Sequence, residues 1–332
     1  MKKIGFIVLL LTLVSVGLFL KKDSGLTKVG IMQFARHTDL DDAKDGFIKS
    51  LSDDGFIDGV NIEIILEIAS SDTIALNMQV KKLVRKSDLI LAIGTPAAIA
   101  ISNGLKDEGL NTPLLFTAVT DPVDAKLVSS LTGHNSNITG TTDITPIYEQ
   151  VSLANQLKNN VNKIGVIYTA SEVNSLHQAK LAKQAITDLG YTPILKSINA
   201  ITDLEHVLTS LVSGFDKVDA IYIPSDNLLS SSMGNFKSFN ERRPNNKVPI
   251  IASTTFQVEE GAAITLGLNY YNLGVQTGNM AVKILSGVDI KTIDVESSKD
   301  LELAINLDTF KIIGLEPSKE LISRADLIYG GN

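Results

Sequence analysis

The sequence predicts an α/β protein made of two doubly wound parallel-sheet lobes, and three observations carry that prediction. Short β-branched runs alternate with amphipathic helical stretches along most of the chain, the order that builds a parallel sheet covered by helices. Many of the runs are continuously apolar rather than alternating, as strands buried on both faces require. The alternation also occurs twice within 332 residues, of which 44% are hydrophobic and 20% charged, enough for two lobes that each bury a core.

The elements follow in order. Met1-Lys2-Lys3 precedes an apolar run from Ile4 to Leu20, which ends at Lys21-Lys22-Asp23. A basic start and an apolar run of this length suit an export signal or a retained anchor, so residues 1–23 are set apart from the fold. Residues 29–34 read as the first strand, followed by a helix near 41–51 with Ala43, Phe47, Ile48 and Leu51 at helical spacing. Strand 61–68, helix 73–85 and the buried strand 89–95 come next. A helix then opens at Pro96, a favoured first position, and 114–119 is the fourth strand. The second series has strands at 164–169, 192–198, 220–223 and 248–252, with helices near 174–188, 202–212 and 229–239. The stretch 262–268, a helix at 273–285, the run 301–306 and a closing helix at 318–327 complete the chain.

Composition removes several classes of function. With no Cys there is no disulfide, thiolate metal site, Cys nucleophile or cysteine-linked lipid. The formal charge of −7 falls to −10 without residues 1–23, which hold four Lys and one Asp. Such a balance lacks the clustered cations that nucleic acid binding needs. No G-x-G-x-x-G, GK[ST] or G-x-S-x-G motif is present. His37, His134, His177 and His206 lie in different elements without metal-ligand spacing, and nothing pairs a nucleophile with a base. The chain therefore reads as a binding protein rather than an enzyme, with no cofactor and no metal.

Ligands of open α/β sheets bind beyond the carboxyl ends of the strands. Those ends deliver Gln33 and Phe34; Thr95, Pro96 and Ala97; Val119, Thr120 and Asp121; Ser171, Asn174 and Ser175; Asp226 and Asn227; and Thr254. Hydroxyls, amides and helix N-termini can receive a carboxylate, and an acidic side chain can receive an ammonium. This set suits a small zwitterion, although each residue alone also reads as a helix cap or turn.

Several segments in this order carry a family resemblance: Gly94-Thr-Pro-Ala-Ala, Phe116-Thr-Ala-Val-Thr-Asp-Pro-Val, Gly140-Thr-Thr-Asp-Ile-Thr-Pro, Tyr222-Ile-Pro-Ser-Asp-Asn, the runs 261–270 and 274–287, and Leu303-Ala-Ile-Asn. On them the chain resembles the substrate-binding proteins of ABC transporters, of the tryptophan/tyrosine type, over about residues 27–330. The resemblance implies a type I periplasmic-binding fold with three hinge crossovers. It implies one lobe of 25–142 plus 270–300 and another of 143–269 plus 301–332. It also implies an amino-acid ligand held between closing lobes and passed to permease subunits with a separate ATPase. In that reading Thr95, Thr120 and Ser175 face the ligand carboxylate, Asp226 and Asn227 its ammonium, and Gln33 and Phe34 its side chain. The expected protein is a monomer, in the periplasm or on the outer face of the cytoplasmic membrane, held there by the N-terminal segment where that is uncleaved. A ligand-sensing ectodomain of the same fold is the alternative.

Overall fold

The computed structural model describes residues 25–331 except 159 and 299, so the targeting or anchoring segment 1–23 lies outside the described residues. The first sheet is built from β1 (Thr27–Gln33), α1 (Thr38–Asp53), β2 (Ile62–Ile68), α2 (Thr73–Val84), β3 (Leu89–Ile93), α3 (Thr95–Asp107), β4 (Leu114–Val119) and β5 (Ile138–Thr142). The chain then crosses to α4 (Ile147–Ser152), α5 (Ala154–Leu157), β6 (Lys163–Thr169), α6 (Val173–Asp188), β7 (Thr192–Ile198), α7 (Leu204–Val212), β8 (Ala220–Ile223), α8 (Asn227–Ser230), α9 (Met233–Glu241), β9 (Ile250–Ala252), α10 (Thr255–Glu259) and β10 (Ile264–Leu268). It returns to the first body with α11 (Tyr270–Leu285) and β11 (Glu296–Ser297). It ends in the second with β12 (Leu301–Asn306), α12 (Leu307–Ile313), α13 (Lys319–Arg324) and β13 (Leu327–Tyr329). Among the described residues no helix is long and apolar enough to cross a membrane.

The first sheet has the order β11-β5-β4-β3-β1-β2 and is parallel throughout. The second has the order β13-β12-β10-β9-β8-β6-β7, with β12 antiparallel to β10. That reversal follows from the connections. β10 ends where the chain leaves for the first body, and the returning chain re-enters at the same edge and must run the other way. In each sheet the strand order turns about β1 or β6, the switch point where doubly wound folds open a crevice.

Continuous apolar strands produce the cores. Every residue of β3 and β4 is buried, and Phe47 and Phe116 lie fully inside the first core. The second sheet is covered on both faces, by one cluster holding Tyr222 and Phe310 and by another holding Phe236 and Phe239. At about 25 cal/mol per Å² of apolar area, such burial is the main term holding each lobe. α11 packs along α1 with glycines in the seam. A methyl at Gly274 would run into the carbonyl of Ala43, and one at Gly46 into the carbonyl of Tyr271.

Several elements differ from the sequence reading, which also assigned no element to α4, α5, α10, β11 or α12. The closing helix stops at Arg324, and Leu327–Tyr329 instead pairs with β12. The Asp326 carboxylate accepts from the Leu303 N–H at 2.8 Å and fixes that register. The expected helix at 229–239 is two, α8 and α9, with the break at Ser231-Ser232. β5, read only as a motif, is a buried strand whose Gly140 lies where any side chain would strike the Phe116 backbone.

Candidate functional site

The carboxyl ends of the two sheets face each other, and a cavity of about 640 Å³ lies between them. From the first body it is walled by Phe34 after β1, Ser71, Thr73, Leu76 and Asn77 around the start of α2, and Thr95, Pro96, Ile99, Ala100 and Asn103 along α3. From the second come Thr169, Ser171, Glu172 and Val173 between β6 and α6, Asn199, Ala200 and Ile201 after β7, and Leu228. Beside it a void of about 10 Å³, room for about one water, is lined by His37, Leu40, Ala118, Thr120, Asp143, Asn174, Ser225, Asp226, Asn227, Ser230 and Tyr270. Ala118 has the unusual φ of 54° where β4 slips register against β5 between Phe116 and Val119, a bulge that re-aims the strand end.

One pole of the cavity is electropositive. α3 starts from Gly94, whose φ of 92° suits glycine, and this cap position has no side chain to meet the first-turn N–H groups. Those groups and the helix dipole favour an anion. The Thr95 hydroxyl is buried and makes no hydrogen bond, although buried hydroxyls are ordinarily paired. A Cβ built on Gly94 would stand 3.9 Å from Asn227 Oδ1, so this helix start abuts the opposite body.

The other pole is acidic. Glu172 Oε2 accepts from the Asn227 backbone N–H at 3.1 Å and from its side-chain amide at 2.6 Å, while Oε1 accepts from the Leu228 N–H at 3.1 Å. Asp226 Oδ1 accepts from Thr169 Oγ1 at 3.0 Å and the Leu229 N–H at 2.8 Å. Its Oδ2 accepts from the Thr169 N–H at 2.7 Å and Ser175 Oγ at 2.5 Å. Burial pushes both acids up, Glu172 to about 7 with the neighbouring Asp226 charge adding to the rise. Among the described residues neither cavity has a Lys or Arg in its wall, and the basic side chain there is His37, which burial pushes down to about 4. No cation among them offsets the burial that raises the acidic pair.

The two bodies also meet along a seam. His37 Nε2 lies 3.4 Å from Asn227 Oδ1, and its ring stacks on Phe256 with centroids 6.0 Å apart. Asp39 is buried against Thr254 and pushed up to about 8 by that burial. Tyr270 OH donates to Asp143 Oδ2 at 2.7 Å where two crossovers pass.

The residues nominated from the sequence divide three ways. Phe34, Thr95, Pro96 and Ser171 wall the large cavity, and Thr120, Asn174, Asp226 and Asn227 the small one. Gln33, Ala97, Val119, Asp121, Ser175 and Thr254 line neither. Gln33 is fully buried with its amide donating to Ala35 O and Asp41, and Ala97 and Val119 are core. Asp121 folds back on the Val123 and Asp124 N–H groups. Ser175 is spent on Asp226, and Thr254 caps α10. Ser71, Asn77 and Asn199–Ile201 were not nominated. They follow β2 and β7, strand ends to which the same rule applies, and the consecutive positive φ values of Ser70 and Ser71, 53° and 63°, turn that loop toward the cavity.

Comparison with known proteins gives a consistent picture. The family described as ABC transporter substrate binding protein matches residues 28–328. A curated protein named tyrosine-binding protein, from Clostridioides difficile (strain R20291), is 40% identical over 299 residues, covering 89% of this chain and 84% of that one. A Streptococcus pneumoniae domain solved in complex with L-Trp is 30% identical with a TM-score of 0.84, over 92% of this chain and all of that one. The ligand-free, open structure of a Clostridium difficile substrate binding protein with adhesive properties is 36% identical over the same shares, with a TM-score of 0.69. In overall shape this chain is thus nearer the L-Trp complex than the open form, despite the lower identity.

Proposed function

The chain belongs to the ABC transporter substrate-binding protein family, and from that premise we propose that its ligand is a single aromatic amino acid, L-tyrosine or L-tryptophan, held in the 640 Å³ cavity between the lobes. The observation that carries this reading is the pair of opposite poles. The uncapped start of α3 with the unpaired Thr95 hydroxyl suits a carboxylate. The Glu172–Asp226 pair suits an ammonium, which would hold Glu172 ionised. Phe34, Leu76, Pro96, Ile99 and Leu228 supply an apolar wall for a ring. Asp226 spends its four acceptor positions inside the second lobe, so in this reading Glu172 meets the ammonium and Asp226 adds field from behind.

The names of the C. difficile and S. pneumoniae relatives support the aromatic class. We assign lobe one to 25–142 plus 270–300 and lobe two to 143–269 plus 301–332, in line with sheet membership and the packing of α11 on α1. A ligand touching both lobes favours the closed form, which a permease coupled to a separate ATPase then unloads. The protein acts as a monomer outside the cytoplasm, with residues 1–23 as its signal or anchor.

Thermal unfolding against a panel of amino acids, sugars and oligopeptides tests the ligand class. A ligand at 100 times its Kd stabilises by about 2.7 kcal/mol, a shift of several degrees. A response confined to aromatic amino acids is expected. A response to sugars or peptides instead refutes the assignment.

A further inference from the structure

Outside both poles, the lobes touch at a place where sequence analysis nominated a ligand residue. α6, in the second lobe, presents His177 to the turn that follows β4 in the first. His177 Nδ1 lies 3.2 Å from Asp124 Oδ2, and Nε2 lies 3.7 Å from Asp121 Oδ2. The next residue, Gln178, donates from Nε2 to Thr120 Oγ1 at 3.0 Å and accepts from the Ser225 N–H at 3.0 Å. The turn is stiff, because Asp121 Oδ1 accepts from the Val123 and Asp124 N–H groups at 2.9 Å each. None of His177, Gln178, Asp121 and Asp124 walls the large cavity.

We infer that His177 and Gln178, with Thr120, Asp121 and Asp124, form a latch between the lobes that sets how long the closed form keeps its ligand. The inference rests on the closing-lobe reading above. Polar contacts of about 3 Å do not survive a separation of the lobes, so they stabilise the closed form alone. An interaction made only after the barrier to closure slows opening without changing closing. The carboxylate of Asp121 thus acts on affinity from a distance, by holding the door rather than the ligand.

Single-molecule energy transfer between one dye on each lobe tests this, and a chain without native Cys lets introduced cysteines be labelled specifically. At saturating L-tyrosine, His177→Ala should speed opening about two- to fivefold, as partly exposed ion pairs to carboxylates allow. Closing should stay unchanged, and affinity should fall by the same factor. His177→Gln, which keeps one donor, should recover part of the loss, and the His177→Ala/Asp124→Ala pair should lose less than the product of the singles. An unchanged opening rate overturns the latch, as does an equal slowing of closure or a matching fall in the stability of the ligand-free protein. If L-tyrosine does not close the wild-type chain, the ligand class fails. The latch is then read in the closed excursions made without ligand, which His177→Ala must shorten.

Discussion

Thr95→Val separates binding from folding in one substitution. Thr95 is 3% exposed, and its hydroxyl has no hydrogen-bond partner among the described residues. Valine keeps the branched shape, so the first turn of α3 and the Gly94 cap are undisturbed. Removing a buried hydroxyl that bonds to nothing should leave the ligand-free protein as stable as before, or more stable by up to ~1 kcal/mol. If the hydroxyl is kept unpaired for a ligand carboxylate, its loss removes a hydrogen bond to a charged group, worth ~1.5–3 kcal/mol. Taking about 2 kcal/mol, affinity falls about thirtyfold. At a ligand concentration 100 times the wild-type Kd, stabilisation then drops from about 2.7 to about 0.9 kcal/mol. Titration calorimetry gives the affinities, and melting with and without L-tyrosine gives both stabilities. A lower melting temperature without ligand would mean that the hydroxyl has a structural partner. An affinity equal to wild type would move the carboxylate away from α3.

Three further outcomes follow from the same geometry. Glu172→Gln removes charge from the acidic pole and leaves one acceptor oxygen where Glu172 uses two, so titration calorimetry should record a tenfold or greater loss of affinity; equal affinity would place the ammonium elsewhere. Asp39 is held up to about 8 by burial, so the folded chain keeps a proton that the unfolded carboxyl, with its ordinary value of 3.8, has released. Its contribution is complete below that value and is lost as pH rises through about 8, whereas the depressed His37 acts oppositely only between about 4 and 6.5. Resistance to urea should therefore fall from pH 6.5 to 8, with Glu172, held up to about 7, adding to its lower part, and Asp39→Asn should reduce that slope; an unaltered slope would remove Asp39 as a source. Gly274→Ala drives a methyl into the Ala43 carbonyl and should lower the urea midpoint by ~1–3 kcal/mol of stability, which an unshifted midpoint would contradict.

Most of the architecture was legible because parallel strands buried on both faces leave unbroken apolar runs such as Leu89–Ile93 and Leu114–Val119. Ile138–Thr142 was not, because its Thr and Gly residues carry little strand signal and are buried by their neighbours. Leu327–Tyr329 is only three residues long and pairs across the sheet with residues 304–306, a partnership no local pattern announces. The candidate site was legible only in part: Thr95 and Asp226 stand out because they follow strands and open helices, whereas Glu172, which the proposed reading sets against the ammonium, was not among the nominated residues. The site was illegible where one helix start looks like another: Thr254 and Ser175 have the chemistry of ligand contacts yet spend it on a cap and on Asp226. Whether a strand-end hydroxyl is free depends on partners far along the chain, such as Asp226, 51 positions after Ser175.

The glycine seam between α1 and α11 also orders events during biosynthesis. α1 emerges early, but the helix that covers it begins at Tyr270. At about 5–20 residues per second a ribosome needs many seconds to make the intervening segment. Until then the first lobe exposes one side of its core, and the second lacks β12 and β13. Neither half can complete its sheet before the final fifth of the polypeptide exists. A chain arranged this way stays incompletely packed, and most exposed to aggregation, throughout that interval.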